Sequence, residues 1–131
     1  MRVSLKSTRV RLLLCCWVLW CLAALSLDRW GLGGDCLAEC ETSLLSEGLD
    51  PVDLYKVHHH GSDSSSTEDL LEALSPAAAL LSVGPNTYGH PDAGTLERID
   101  AAGASLWRTD DDGDIEVVTD GVTVTVNGVG L

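Results

Sequence analysis

Basic residues are nearly missing from most of this chain. Beyond residue 34 only Lys56, Arg98 and Arg108 carry positive charge, against nineteen of the twenty acids, so that stretch is net −16. This excludes a general nucleic-acid-binding patch, because a phosphate backbone demands a basic face. The composition suits a domain kept soluble by its own charge. Histidine is missing before residue 58; the four present are His58, His59, His60 and His90. All five cysteines lie between Cys15 and Cys40, and no Cys-x-x-Cys pair occurs. That excludes a zinc ribbon. The spacing forms no disulfide framework either, so the thiols are expected to act as small incidental hydrophobes. There is no internal repeat and no long low-complexity segment. A length of 131 residues allows one domain with a modest core.

The first 34 residues are of another kind. They hold Arg2, Lys6, Arg9, Arg11 and Arg29 against the single acid Asp28, a net charge of +4. Leu12 to Leu27 carries no charge, yet it falls short of the roughly 20 apolar residues of a membrane span. Three readings of residues 1–33 stay open. The segment is foreign to the fold through a misread start or frame, or it is a short membrane anchor, or it is a signal peptide. If genuine, it makes the protein membrane-associated or exported.

From Gly33 onward the pattern is regular α/β. Gly33-Gly34-Asp35 reads as a turn and residues 36–47 as a helix with Leu37, Cys40, Leu44 and Leu45 inward, stopped by Gly48. Residues 52–57 alternate apolar and polar side chains as a half-buried strand does. Ser66 or Thr67 caps a second helix with Leu70, Leu71 and Leu74 inward. Ala78 to Val83 is a short apolar run, the pattern of a buried strand. A loop from Gly84 to Pro91 follows, and Asp92 caps a third helix with Leu96 and Ile99 inward, stopped by Gly103. Three strands, at about 105–109, 114–119 and 122–127, close the chain across Asp-Gly turns.

The chemistry centres on Lys56-Val-His-His-His-Gly-Ser62, where the strand at 52–57 opens into a Ser-rich loop. Asp35 in its turn, His59 and His60 after one strand, and His90 after the next all fall at equivalent element ends. In a layered sheet such ends converge on one edge. An Asp and two or three imidazoles are the donors a borderline divalent metal takes, with room for the water it activates. The plain alternatives are an adventitious His cluster on a surface loop, an Asp serving only its turn, and a His90 that merely orders its loop.

The chain from Gly34 to about Val118 resembles the C-terminal half of a metallo-β-lactamase-fold domain. It is most similar to the hydrolase domain of ComEC-like DNA-uptake (competence) proteins. The matching pieces are Gly34-Asp35, then Asp53-Leu-Tyr-Lys-Val57 with His59-His60-Gly61-Ser62. They continue with Leu81-Ser-Val-Gly84, Asn86-x-Tyr88-Gly-His-Pro91 and Trp107-Arg-Thr-Asp110. The resemblance implies a partial αβ/βα sandwich, a mixed sheet with three helices over residues 34–131. It implies a dinuclear zinc site at one edge, with Asp35 bridging and His59 or His60 as a ligand. His90 would lie near the metals or the scissile group, with Ser62 assisting.

The departure from that family is as informative. Such domains carry a Thr-His-x-Asp-x-Asp-His-like motif in their N-terminal half, and no histidine precedes residue 58 here. Asp28-Arg-Trp-Gly-Leu32 stands where an apolar strand is expected. The chain is therefore expected to be a half-domain lacking its N-terminal partner half, holding at most one zinc weakly. One face of its sheet would lack a covering layer, exposing strands 52–57 and 78–83. Two functions follow: part of a metal-dependent phosphodiesterase or nuclease acting on nucleic acid in DNA uptake, or a truncated, non-catalytic fragment, membrane-tethered or free, without a complete metal site.

Overall fold

The computed structural model describes residues 2–5 and 30–131. The uncharged run from Leu12 to Leu27, with Cys15, Cys16 and Cys21, lies outside the described residues. Among those described, no helix is long and apolar enough to cross a membrane.

The fold is mixed α/β, with three helices and two sheets. One sheet is all parallel, in the order β2 (Trp30–Leu32), β3 (Leu54–Lys56), β4 (Ala78–Leu81), β5 (Ser105–Arg108). The other runs β1 (Arg2–Leu5), β6 (Glu116–Thr119), β7 (Val124–Val126), β8 (Val129–Gly130). In it β1 lies parallel to β6, and the last three strands are antiparallel. Strand β2 forms inside residues 1–33, the segment for which foreign sequence, an anchor and a signal peptide are the three readings. Trp30-Gly-Leu32 pairs in register with Leu54–Lys56.

Helices α1 (Ala38–Glu47), α2 (Glu68–Leu74) and α3 (Ala93–Ala101) follow the expected punctuation. The Thr67 hydroxyl accepts the Leu70 N–H, and the Asp92 carboxylate accepts those of Gly94 and Thr95. Each cap satisfies N–H groups that a first helical turn leaves without partners. The helical side of the parallel sheet is filled by Tyr55, Val57, Leu70, Leu71, Leu74, Ala79, Leu81 and Ile99.

The opposite side of that sheet is also covered, which corrects the expectation of a bare face. Leu54, Ala78 and Leu80 pack against Val117, Val124 and Val126 of the second sheet and against Ile115 just before it. As a result Leu54, Ala78, Ala79, Leu80 and Leu81 are all at most 1% exposed. The chain's own last strands supply the layer. Their alternating valines were legible as strands, but which face they cover depends on a crossover that periodicity does not encode.

Helix α1 departs from its expected face in the same manner. Leu37 and Cys40 are exposed, whereas Glu41 is fully buried. Cys36 and Cys40 form a disulfide across the first turn, with Cα atoms 5.5 Å apart, so they are not the incidental thiols expected.

Candidate functional site at the strand-end edge

Strand β3 ends at Lys56, and the chain then turns through a short 3₁₀ segment, His58–Gly61. Its conformation is unusual. His59 (φ 45°), His60 (φ 55°) and Gly61 (φ 81°) are consecutive left-handed residues. Two of the three carry a Cβ, and such residues cost on the order of 1–3 kcal/mol each, so they persist only where the surroundings over-determine them. Here the surroundings do so. The His59 N–H donates to the Gly34 carbonyl at 2.9 Å, tying the His turn to the Gly33-Gly34-Asp35 turn. The Asp92 N–H donates to the Gly61 carbonyl at 2.8 Å, and Pro91 packs over Gly61, where a Cβ would lie 2.8 Å from the proline ring. Glycine at 61 is therefore required both by its φ and by this close approach.

These ties bring several predicted residues together. His60 Nδ1 donates to the Ser82 carbonyl at 2.7 Å, which leaves Nε2 directed to Asp35, 3.9 Å from Oδ1. Both side chains are more than half exposed. His90 lies against His59, ring centroids 5.7 Å apart, and stacks on Tyr88 at 6.1 Å. A pocket of about 200 Å³ opens beside them, bounded by His60, Pro85, Asn86 and His90. His59 Nδ1 is buried without a hydrogen-bond partner among the described residues. Ser62 is placed otherwise: it is 4% exposed, and its hydroxyl bonds Ser64 Oγ at 2.9 Å within its own turn. Its carbonyl accepts the Thr95 hydroxyl at 2.9 Å.

The loop that carries His90 is built by Asn86. Its side-chain amide donates to the carbonyls of Gly84 and His90, and its oxygen accepts the N–H groups of Tyr88 and His90. This is the local side-chain-to-backbone bonding that makes Asn a turn residue. The neighbouring Thr109 hydroxyl donates to the Val83 carbonyl and accepts the Val83 N–H, fixing the end of β4.

The residue that sequence pattern missed is Glu41. Its Oε1 accepts the His58 Nδ1–H at 2.7 Å and the Ser66 N–H at 2.6 Å, and its Oε2 accepts the Thr67 N–H at 2.9 Å. Burial alone raises the pKa of this carboxyl, but the His58 hydrogen bond and the two backbone donors outweigh it and hold the group below the ordinary glutamate value. The missed signal was a carboxylate on the inward face of a helix that starts three residues after Asp35. Tyr55 joins the network: its hydroxyl bonds Ser66 Oγ at 2.7 Å and accepts the His58 N–H at 3.2 Å. Burial pushes its phenol well above the usual range, the Ser66 contact notwithstanding. Burial likewise lowers the Lys56 ammonium, with Asp35 offsetting part of the shift, while Nζ donates to the Val57 carbonyl.

Among the described residues, no three His, Cys, Asp or Glu side chains gather closely enough to hold a metal ion. The donor chemistry of Asp35 with His60 suits zinc, but two donors are half of a four-ligand shell.

The chain is similar to ComE operon protein 3 of Bacillus subtilis (strain 168), 34% identical over 89 residues, which is 66% of this chain and 12% of that protein. It is also similar to Competence protein ComA of Neisseria gonorrhoeae, 45% identical over 53 residues, 40% of this chain and 8% of that protein. The chain thus spans a small part of the length of the curated relatives it matches. No family model and no solved structure matches it.

Proposed function

We propose that this chain carries one edge of a metal-dependent hydrolase site of the metallo-β-lactamase type, a phosphodiesterase or nuclease serving DNA uptake. The observation that carries this reading is the setting of His60. Metal-ligating histidines ordinarily donate the second ring nitrogen to a carbonyl or carboxylate, which fixes the ring and its tautomer. His60 does so to Ser82 and aims its other nitrogen at Asp35, 3.9 Å away. The left-handed His59-His60 pair and the unpartnered His59 nitrogen belong to the same edge. The motif resemblance from Gly34 to Val118 and the similarity to two proteins named for competence support the same assignment.

In this reading Asp35 and one histidine of the turn are metal donors, with His60 the one whose setting fits and His59 its alternative. His90, across the pocket, contacts the scissile group, and Ser62 holds the turn. A bound divalent ion would supply Lewis acidity and an activated water. The remaining ligands come from outside the described residues, from the N-terminal half that such domains pair with.

A specific observation favours a second reading, that of a non-catalytic protein without a full metal site: the described residues bring no three donors together. Joining residues 34–131 to an N-terminal half with the His/Asp motif separates the two. Under the first reading the joined protein takes up two zinc ions and hydrolyses bis(p-nitrophenyl) phosphate and single-stranded DNA. Asp35→Ala then removes both activity and metal, whereas His90→Ala lowers turnover more than metal content. Two bound metals without cleavage of either substrate would sink the phosphodiesterase assignment.

A further inference from the structure

We infer that Glu41 is the positioning residue of the Asp35–His60 edge and that it acts through the His58 ring. The inference rests on the reading of that edge as a donor site. Neither residue reaches substrate, since Glu41 is 0% and His58 3% exposed. What they reach is the turn that presents the donors.

A carboxylate buried this deeply is unfavourable unless its oxygens are fully engaged. All three of the groups it accepts from, His58 Nδ1, Ser66 N and Thr67 N, belong to the segment that follows β3. A leucine at this position would cover the helix face but hold none of them. The far side of the His58 ring lies against Gly33, where a Cβ would overlap Nε2. The Gly33-Gly34-Asp35 turn therefore rests on a ring whose orientation Glu41 fixes. The next residue closes the arrangement, because the His59 N–H bonds the Gly34 carbonyl at 2.9 Å. One side chain thus sets both sides of the gap: Asp35 through the ring and Gly33, and His60 through the backbone that leaves His58. Left-handed residues at 59 and 60 need this kind of external determination.

The test uses the full chain and three variants: Glu41→Gln, His58→Ala and His58→Asn. Three readouts are compared, namely the urea unfolding midpoint, the ¹⁵N signature of the His60 ring at pH 8, and zinc affinity by competition with a chromogenic chelator. In the parent chain His60 shows one tautomer, Nδ1–H, because a carbonyl oxygen only accepts. In folded Glu41→Gln and His58→Ala the His60 ring becomes a tautomer mixture, and zinc affinity falls by about tenfold or more, the scale of losing a group that orients a ligand. His58→Asn places an amide N–H where Nδ1–H was and restores the single His60 tautomer, while zinc affinity recovers only in part because the far side of the ring against Gly33 is missing. A folded Glu41→Gln with an unchanged His60 signature overturns the inference. If Glu41→Gln does not fold, the pair at position 58 decides, and equal behaviour of Ala and Asn overturns it. If the parent chain takes up no zinc, the ring signature alone decides the role of Glu41, and the metal reading is decided separately by the protein joined to its N-terminal half.

Discussion

The two histidine-bearing loops are held in opposite ways. The turn at residues 58–62 is fixed from outside: by Glu41 of α1, by the Tyr55 hydroxyl of β3, by the Gly33-Gly34 turn and by Asp92 before α3. The loop at residues 84–90 is fixed largely from within, by the four hydrogen bonds of Asn86 to its own neighbours. Burial follows the same division, with His58 3% and Tyr88 82% exposed. Where rigidity comes from distant partners, a substitution far along the chain disturbs the donors. Where it comes from one local side chain, the damage stays local. Non-local support also demands strain-tolerant geometry, and the left-handed pair His59-His60 sits only in the first loop.

The largest expected effect tests the outside-held turn. Glu41→Ala strands the His58 ring nitrogen and two backbone N–H groups, each costing about 1–3 kcal/mol when buried without a partner. A loss of about 4 kcal/mol in urea unfolding is expected, and a loss below about 1 kcal/mol would break the comparison. Next comes Gly33→Ala, whose methyl group would meet the His58 ring. Overpacking of this kind costs about 3 kcal/mol. Amide exchange should quicken across 58–67 and not across 84–90.

A smaller, graded effect follows from acid. The Glu41 carboxyl is held below its ordinary value when folded. Its contribution is therefore fully present above the unfolded pKa and drains as pH falls through the lowered folded value. The parent chain should lose stability through that acidic window more steeply than Glu41→Gln, which cannot titrate. Equal slopes would show that this carboxylate is not what holds the turn. The smallest effect is expected of Asn86→Ala, at about 1 kcal/mol because the loop is exposed and water replaces its partners. Amides at 84–90 should exchange faster while those at 58–67 keep their protection. Spread of the effect to 58–67 would erase the distinction between the loops.

How much of this was legible in the sequence follows the same division. The caps at Thr67 and Asp92, the inward leucines 70, 71 and 74, and the opening of β3 into the His turn are local signals, and the structure has them all. Asn86 was legible as part of the matching motif, and an Asn in a Gly/Pro-rich loop is also a turn signal in its own right, its side chain bonding the backbone two residues on. Glu41 was illegible because its partners lie 17 to 26 residues further on. Spacing from Leu37, Leu44 and Leu45 puts position 41 on the inward face, but no neighbour in the sequence names the partners that would hold a charge there. Strand β2 was illegible because Trp30-Gly-Leu32 is too short to show a period and gains its place only by pairing with Leu54–Lys56.

The left-handed pair has a consequence for selection. His59 combines a positive φ with a buried ring nitrogen that finds no protein partner among the described residues. Glycine would relieve both burdens at once, and asparagine the first. A library sorted for heat resistance alone should therefore drift away from histidine at position 59, and one sorted for ligand capture should drift back. Opposed drift of this kind is the mark of a site where function is kept at the expense of stability.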